Sequence, residues 1–449
     1  MASNAVYLPT EITELVIDEL DIDGFSDDAK SSRAALRSCL FVSQHFHQRA
    51  RSHLFRNVEL HNGYADDNIH SFRKRLILLR HLLTTSINDH DPGIASNIRK
   101  LTISVFFDED QRDPDDETES VEGGENSIPS RVIAKHFPPV LRLIRQYAQR
   151  LENLAIEDNW PTCAWSSQFM PLDLRLALRG LLSMPTLRRL KMQNFLDVPD
   201  NLFDCIHVTH LIVEAVYPME KEAEFDRSNP VPPFEKGFIF GPIEFLETDQ
   251  SFPLQRIVDI SPHQCPDTTK TKLLKKIKIQ IHNKFHFTNV VCLLRAAYLA
   301  EDLHLDFMGL AQLNKLESNP IPRMNLDLFP LQKLTHLTMS FDDDLYGSSL
   351  ESGPKSLQIA YSILKTRSCS IMYLTLRFEW YLSEAPNYLI YPRREHWEPF
   401  DNILAGPHYP NLCLLALRIS FRSPISDDRR SLFKAVFPLL SASNKLRLQ

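Results

Sequence analysis

Residues able to do chemistry are few, and their spacing limits what they could do. His45, His47 and His53 lie close together. Offsets of two and eight residues do not bring three imidazoles to one helix face, so they read as surface histidines rather than a metal site. Asp342, Asp343 and Asp344 follow the apolar run LTHLTMSF. Paired carboxylates can hold a hard cation, but an acidic solvated turn is the favoured reading. The seven cysteines, Cys39, Cys163, Cys205, Cys265, Cys292, Cys369 and Cys413, are odd in number and form no CxxC pair. They read as reduced thiols, not as a disulfide framework or a zinc site. GxSxG, HExxH, a Walker phosphate loop and GxGxxG in a strand–helix setting are all missing. No catalytic residue, metal or cofactor is therefore expected. The stretch from Phe378 to Tyr409 is different. It gathers Trp380, Tyr381, Tyr388, Tyr391, Arg393, Arg394, Trp397 and Phe400 among Pro386, Pro392, Pro399 and Pro407. The prolines argue for a long loop, and aromatic plus arginine composition is that of binding hot spots. The alternative is a self-packed loop capping the C-terminal end.

The composition says which partners to expect. The chain has 449 residues, 43% of them hydrophobic, and a net charge of −7. That charge argues against general affinity for nucleic acid or an anionic membrane. The acidity is local: Asp108 to Ser127 holds ten acidic residues and one basic, so −9, which leaves +2 elsewhere. This run has almost no apolar residues and is expected to be a disordered surface loop. Two basic stretches, Phe72 to Leu83 and Lys270 to Lys278, could touch phosphates or anionic lipid, but their cations alternate with leucine or isoleucine, so a solvated face is the favoured reading. No uninterrupted apolar window is long enough to span a bilayer, and MASNAVYLPTEITE lacks the features of a secretory signal. A cytosolic or nuclear protein is expected.

The elements that must position these residues follow from periodicity. Ile12, Leu15, Val16 and Leu20 share one helix face, with Thr10 as a cap. A polar loop, Asp21 to Lys30, leads to a second helix with Leu36, Cys39 and Leu40 inward. A third starts after Ser43, with Phe46, Ala50 and Leu54 inward. A basic amphipathic helix over 69–87 buries Phe72, Leu76, Leu79 and Leu83. From Ile98 onward an apolar-x-x-apolar-x-apolar pattern recurs, centred on Leu101, Leu154, Leu190, Leu211, Ile277, Leu303, Leu337, Leu374 and Leu415. Its last two apolar positions alternate as in a half-buried strand, and the leading one closes the turn into it. Helical stretches separate the strands at Pro139 to Arg150, Leu172 to Ser183, Asn289 to Ala300, Ser356 to Ser368 and Ser431 to Ser441. The spacings run from 21 to 66 residues, irregular for leucine-rich repeats of 20–29. A degraded strand, LQRIVDI at Leu254, could fill the longest gap. With 63 leucines and 12 glycines, the expected fold is α/β: an irregular arc with parallel strands inside and helices outside. The alternative is a closed α/β domain.

The N-terminal series resembles an F-box of the kind common in large fungal families. It comprises Leu8-Pro9, Glu11-Ile12, Val16-Ile17 and Leu20, then Leu36, Cys39, Val42-Ser43, Phe46 and Leu54-Phe55. It departs from that family in having Phe46 where tryptophan is frequent, and in a longer acidic loop. The resemblance implies a three-helix F-box over 1–60, a linking helical segment over 61–97 and a leucine-rich-repeat-like domain over 98–449. It implies docking on the S-phase-kinase-associated adaptor of a cullin–RING ubiquitin ligase through Leu8, Pro9, Ile12, Val16, Leu20, Val42 and Phe46. Those residues exceed what three short helices can bury, unless they pack on the repeats. A protein substrate would then lie on the repeat domain, with Trp380, Tyr391, Arg393, Arg394 and Trp397 as candidates. The chain itself would be no enzyme and would need no cofactor.

Overall fold

The computed structural model of the protein describes residues 10–20, 27–61, 66–85, 87–88, 91–104, 128–157, 163–165, 170–199, 202–219, 243–254, 273–282, 284–307, 326, 328, 330–344, 355–365, 370–381, 394–421 and 435–448. The chain divides into two units, Met1–Val208 with Val216–Ile239, and Thr209–Ala215 with Phe240–Gln449. The acidic run 108–127, the LQRIVDI strand beyond Leu254, and Leu8, Pro9, Tyr391 and Arg393 lie outside the described residues.

The first unit opens with three helices, α1 (Thr10–Asp18), α2 (Asp27–Cys39) and α3 (Gln44–Leu54). Ser43 caps α3 by accepting from the Phe46 N–H. Ile17, Leu36 and Ala50 are fully buried between the helices, and Leu20, Cys39, Leu40, Phe46 and Leu54 pack around them. The strands β1 (Asn57–His61), β4 (Lys100–Ser104), β5 (Asn153–Glu157) and β7 (Arg189–Val198) form a parallel sheet, with the short β6 (Cys163–Ala164) against β7. A two-residue pair, β2 (Ile87–Asn88) and β3 (Asp91–Pro92), stands apart. Helices α4 (Asp66–Thr85), α5 (Ile128–Tyr147) and α6 (Leu172–Leu182) connect the strands. Phe72 of α4 meets Phe137 of α5 edge to face, with ring centroids 6.1 Å apart.

The second unit is a longer ladder of the same kind. Its parallel strands, in sheet order, are β8 (His210–Pro218), β9 (Phe245–Thr248), β10 (Lys276–Gln280), β11 (Asp302–Phe307), β12 (His336–Asp344), β13 (Tyr373–Tyr381), β14 (Leu414–Phe421) and β15 (Leu446–Leu448). The helices between them are α7 (Lys284–Ala296), α8 (Lys355–Leu364), α9 (Arg394–Ala405) and the short α10 (Pro438–Ala442). Leu303, Leu305 and Phe307 of β11 are fully buried, whereas Asp302, His304 and Asp306, which alternate with them, face the other side of the sheet and are half-buried. On the buried side, Phe307, Phe341 and Phe378 are register partners and stack at 4.9 and 5.2 Å.

One local device recurs along both units. The central residues are register partners: Val58, Leu101, Leu154 and Leu190 in the first unit. In the second they are Leu211, Leu246, Ile277, Leu303, Leu337, Leu374, Leu415 and Leu446. The apolar residue three places earlier is buried and closes the turn: Ile98, Leu151, Leu187, Ala300, Leu334 and Leu412 each donate their N–H to the carbonyl three residues back. The next two N–H groups then share a single carbonyl of the preceding repeat. Thus Glu301 and Asp302 both donate to Lys275 O, Thr335 and His336 to Glu301 O, and Met372 and Tyr373 to Thr335 O. The pattern therefore encodes a turn, a docking point and a strand in six residues, and each repeat completes the one before it.

Four expectations change. The longest gap holds a strand at β9, where IEFLET keeps the pattern with Thr248 in its last place. Two further strands, β1 and β15, lie at the ends, and β1 takes its residues from the last positions assigned to the helical block. Asp342, Asp343 and Asp344 extend β12, paired with Glu379, Trp380 and Tyr381, rather than forming a turn. The aromatic stretch is not one long loop: β13 runs on to Tyr381 and α9 follows at Arg394. Pro399 stands in the second turn of α9, where it removes one helical hydrogen bond, to Glu395. Burial of Trp397, Phe400 and Leu404 on one face outweighs that loss.

Candidate functional site

The N-terminal block turns two sets of apolar side chains to solvent. Ile12, Leu15 and Val16 of α1 are 46%, 58% and 61% exposed, while Ile17 points inward. In the turn between α2 and α3, Phe41 is 89% and Val42 63% exposed. The helix face marked by Ile12, Leu15 and Val16 is thus the outer face of α1, and Ile17 is its link to the core. Of the proposed adaptor residues, Ile12, Val16 and Val42 are free, and Leu20 and Phe46 are spent on the block's own core. Leu15 and Phe41 belong with the exposed set. The helical period already carried Leu15, and Phe41 falls off the inward face set by Leu36, Cys39 and Leu40.

Polar contacts hold this block in shape. Arg49 Nε donates to Asp18 Oδ1 at 2.7 Å, its Nη2 pairs with Oδ2, and His53 Nε2 lies 2.8 Å from Oδ1. The Arg49 bond holds the Asp18 carboxyl below the usual carboxylate range, partial burial opposes it, and His53 adds to the lowering. His45 Nε2 lies 3.4 Å from Glu14, and His47 Nδ1 lies 3.1 Å from the Leu40 carbonyl. The three histidines thus tie α1 and the α2–α3 turn to α3, each by a separate contact.

The second region is the polar face of the second unit's sheet. In register across β9 to β13 lie Glu247, Lys278, His304, Thr338 and Thr375, followed two residues on by Gln280, Asp306, Ser340 and Arg377. Lys278 pairs with Glu247, and His304 Nε2 lies 3.1 Å from Ser340 Oγ. Burial pushes His304 down to about 4, and Lys278 and Arg377 act in the same sense. Burial raises the Asp306 carboxyl, opposed by Lys278 and reinforced by Glu379. Perturbed groups of this kind on one face mark a binding surface more often than a bare sheet does. Of these only Lys278 stands out in the sequence, within the basic stretch Lys270 to Lys278; the others are ordinary polar residues at alternating strand positions.

The aromatic residues divide. Trp397 is fully buried: its ring meets Phe378 at 5.8 Å, Phe400 at 5.8 Å and Phe437 at 5.3 Å. Its ring is core, so it cannot be a partner-contacting residue. Arg394 is exposed at the start of α9, and the Trp380 backbone is part of β13. Asp401, also buried, accepts from the Leu439 and Leu440 N–H groups at 2.9 and 3.0 Å and so caps α10. Among the described residues no cluster of histidine, cysteine or carboxylate has the arrangement of a metal site, and no helix is long and apolar enough to cross a membrane.

No family model and no curated protein matches the chain. Among solved structures, the crystal structure of the Rad7 and Elc1 complex in yeast is similar over 99% of this chain and 98% of that one. The sequence identity is 9% and the TM-score 0.31. The strand-by-strand register makes this chain a leucine-rich-repeat-like α/β protein on its own geometry.

Proposed function

We propose that the N-terminal block is an F-box of the fungal type and that the chain is a substrate-recognition subunit of a cullin–RING ubiquitin ligase. The supporting observation is the exposure of Ile12, Leu15, Val16, Phe41 and Val42 on a block whose core is already closed by Ile17, Leu36 and Ala50. Large apolar side chains left in water on a small folded unit fit a partner surface. The S-phase-kinase-associated adaptor is the partner that the F-box resemblance implies. The protein substrate would lie on the polar sheet face around His304 and Arg377. Chemistry would belong to the partners, in the cytosol or nucleus, and this chain would supply binding alone.

The test is co-purification with the adaptor. Val16→Ser with Val42→Ser removes exposed residues only, so the fold should survive. Interface anchors are worth about 2 kcal/mol or more each, so affinity should fall at least tenfold while the melting temperature holds. Unchanged adaptor binding, or none by the wild type, would sink the ligase reading and leave a scaffold protein with an F-box-like fold.

A further inference from the structure

The face of the first unit made by α4 and α5 carries an arrangement that the adaptor reading does not use. α4 buries Phe72, Leu76 and Leu83 and turns Arg73, Lys74, Ile77, Leu78 and Arg80 to solvent, with Ile77 46% and Leu78 57% exposed. Arg73, Ile77 and Arg80 recur at i, i+4 and i+7 and so form one stripe; Lys74 and Leu78 run beside it. The packing of Phe72 on Phe137 brings α5 alongside. There His136 is held below its usual range by burial first, then by the charges of Arg73, Lys135 and Arg80. Among the described residues none of the three has an ion-pair partner. Arg75, in contrast, is engaged: it donates to His61 O at 2.7 Å and lies over the Phe72 ring.

We propose that this α4–α5 stripe docks an acidic peptide segment of a partner protein, one with aliphatic side chains among its carboxylates. Two cations about 10 Å apart along the helix, with exposed aliphatics between them, match alternating carboxylate and aliphatic groups. A nucleic acid would satisfy the cations but leave Ile77 and Leu78 against a phosphodiester chain. A membrane fits less well, because the main apolar face of α4 is already buried in the fold.

The test is fluorescence anisotropy of a labelled fifteen-residue Glu/Leu-rich peptide titrated with the full chain. Binding should weaken several-fold as salt rises, as expected for partly exposed charges. Arg73→Glu with Arg80→Glu should weaken it at least tenfold, and Ile77→Ser with Leu78→Ser at least threefold. Circular dichroism and adaptor co-purification should be unchanged in both variants, which separates this proposal from the adaptor reading. No binding, binding indifferent to the charge reversal, or equal affinity for a Lys/Leu peptide overturns it. Equal affinity for single-stranded DNA or phosphatidylserine vesicles overturns the choice of a peptide. Binding that appears only after deletion of 109–126 also overturns the partner assignment, because the chain's own acidic run would then be the occupant.

Discussion

His304 hydrogen-bonds Ser340 on the polar sheet face and is neutral near pH 7, because burial lowers its folded-state value to about 4. The unfolded imidazole titrates near the ordinary 6.5. Between these values the unfolded chain binds the extra proton, so stability should be full above pH 6.5 and decline as the pH falls toward 4. His304→Gln should flatten that decline in urea midpoints measured across the range; an unaltered slope would count against it. Asp18 acts lower on the scale. Its folded value is depressed, so its contribution is present above about pH 4 and is lost as the pH falls through the depressed value. At the buried extreme, Trp397→Ala should cost about 3–5 kcal/mol through the cavity it leaves between Phe378, Phe400 and Phe437. A variant with wild-type stability would show that the ring is not core.

Elements are legible in the sequence where one local pattern suffices. Leu101, Leu154, Leu190 and Leu303 can each be found from six residues, since turn, docking point and strand are all encoded there. Strand β9 hides because Thr248 replaces an apolar residue, and β15 because it is three residues long. Helix α9 carries a readable stripe of Trp397, Phe400, Asp401 and Leu404, but Pro399 masks it. The exposed set at Ile12 and Val16 could be found by helical period, yet which face is outermost depends on the α1–α3 packing, a tertiary matter. The same tertiary dependence governs α10. It is only five residues long, and the cap on its first N–H groups comes from Asp401, 38 residues away. Asp401→Ala should leave those donors unpartnered, at about 1–3 kcal/mol each. Hydrogen exchange should accelerate at Leu446 to Leu448 before it does in β12. Uniform exchange across both strands would contradict this role.

For the whole molecule, the charge is carried by one run. Deleting Glu109 to Asn126 removes nine acidic residues and one basic, so the net charge moves from −7 to +1. Closure entropy changes slowly with loop length, so the circular dichroism spectrum should be retained and the melting temperature should hold within a few degrees. The isoelectric point should rise and solubility near neutral pH should fall. A cooperative transition displaced by tens of degrees would show that the run contributes to the fold.

Each strand of the second unit lies across the direction in which its repeats follow one another, so the hydrogen bonds between strands point along the array. Under tension between the ends of this unit, those bonds are loaded in line and give way one ladder at a time, like a zip rather than a clamp. The weakest rung is β14–β15, with three register pairs against nine in β12–β13. Optical-tweezer traces should therefore show a staircase of small, low-force steps starting at the C-terminal end. A single high-force rupture would mean that the helices, and not the ladder, bear the load.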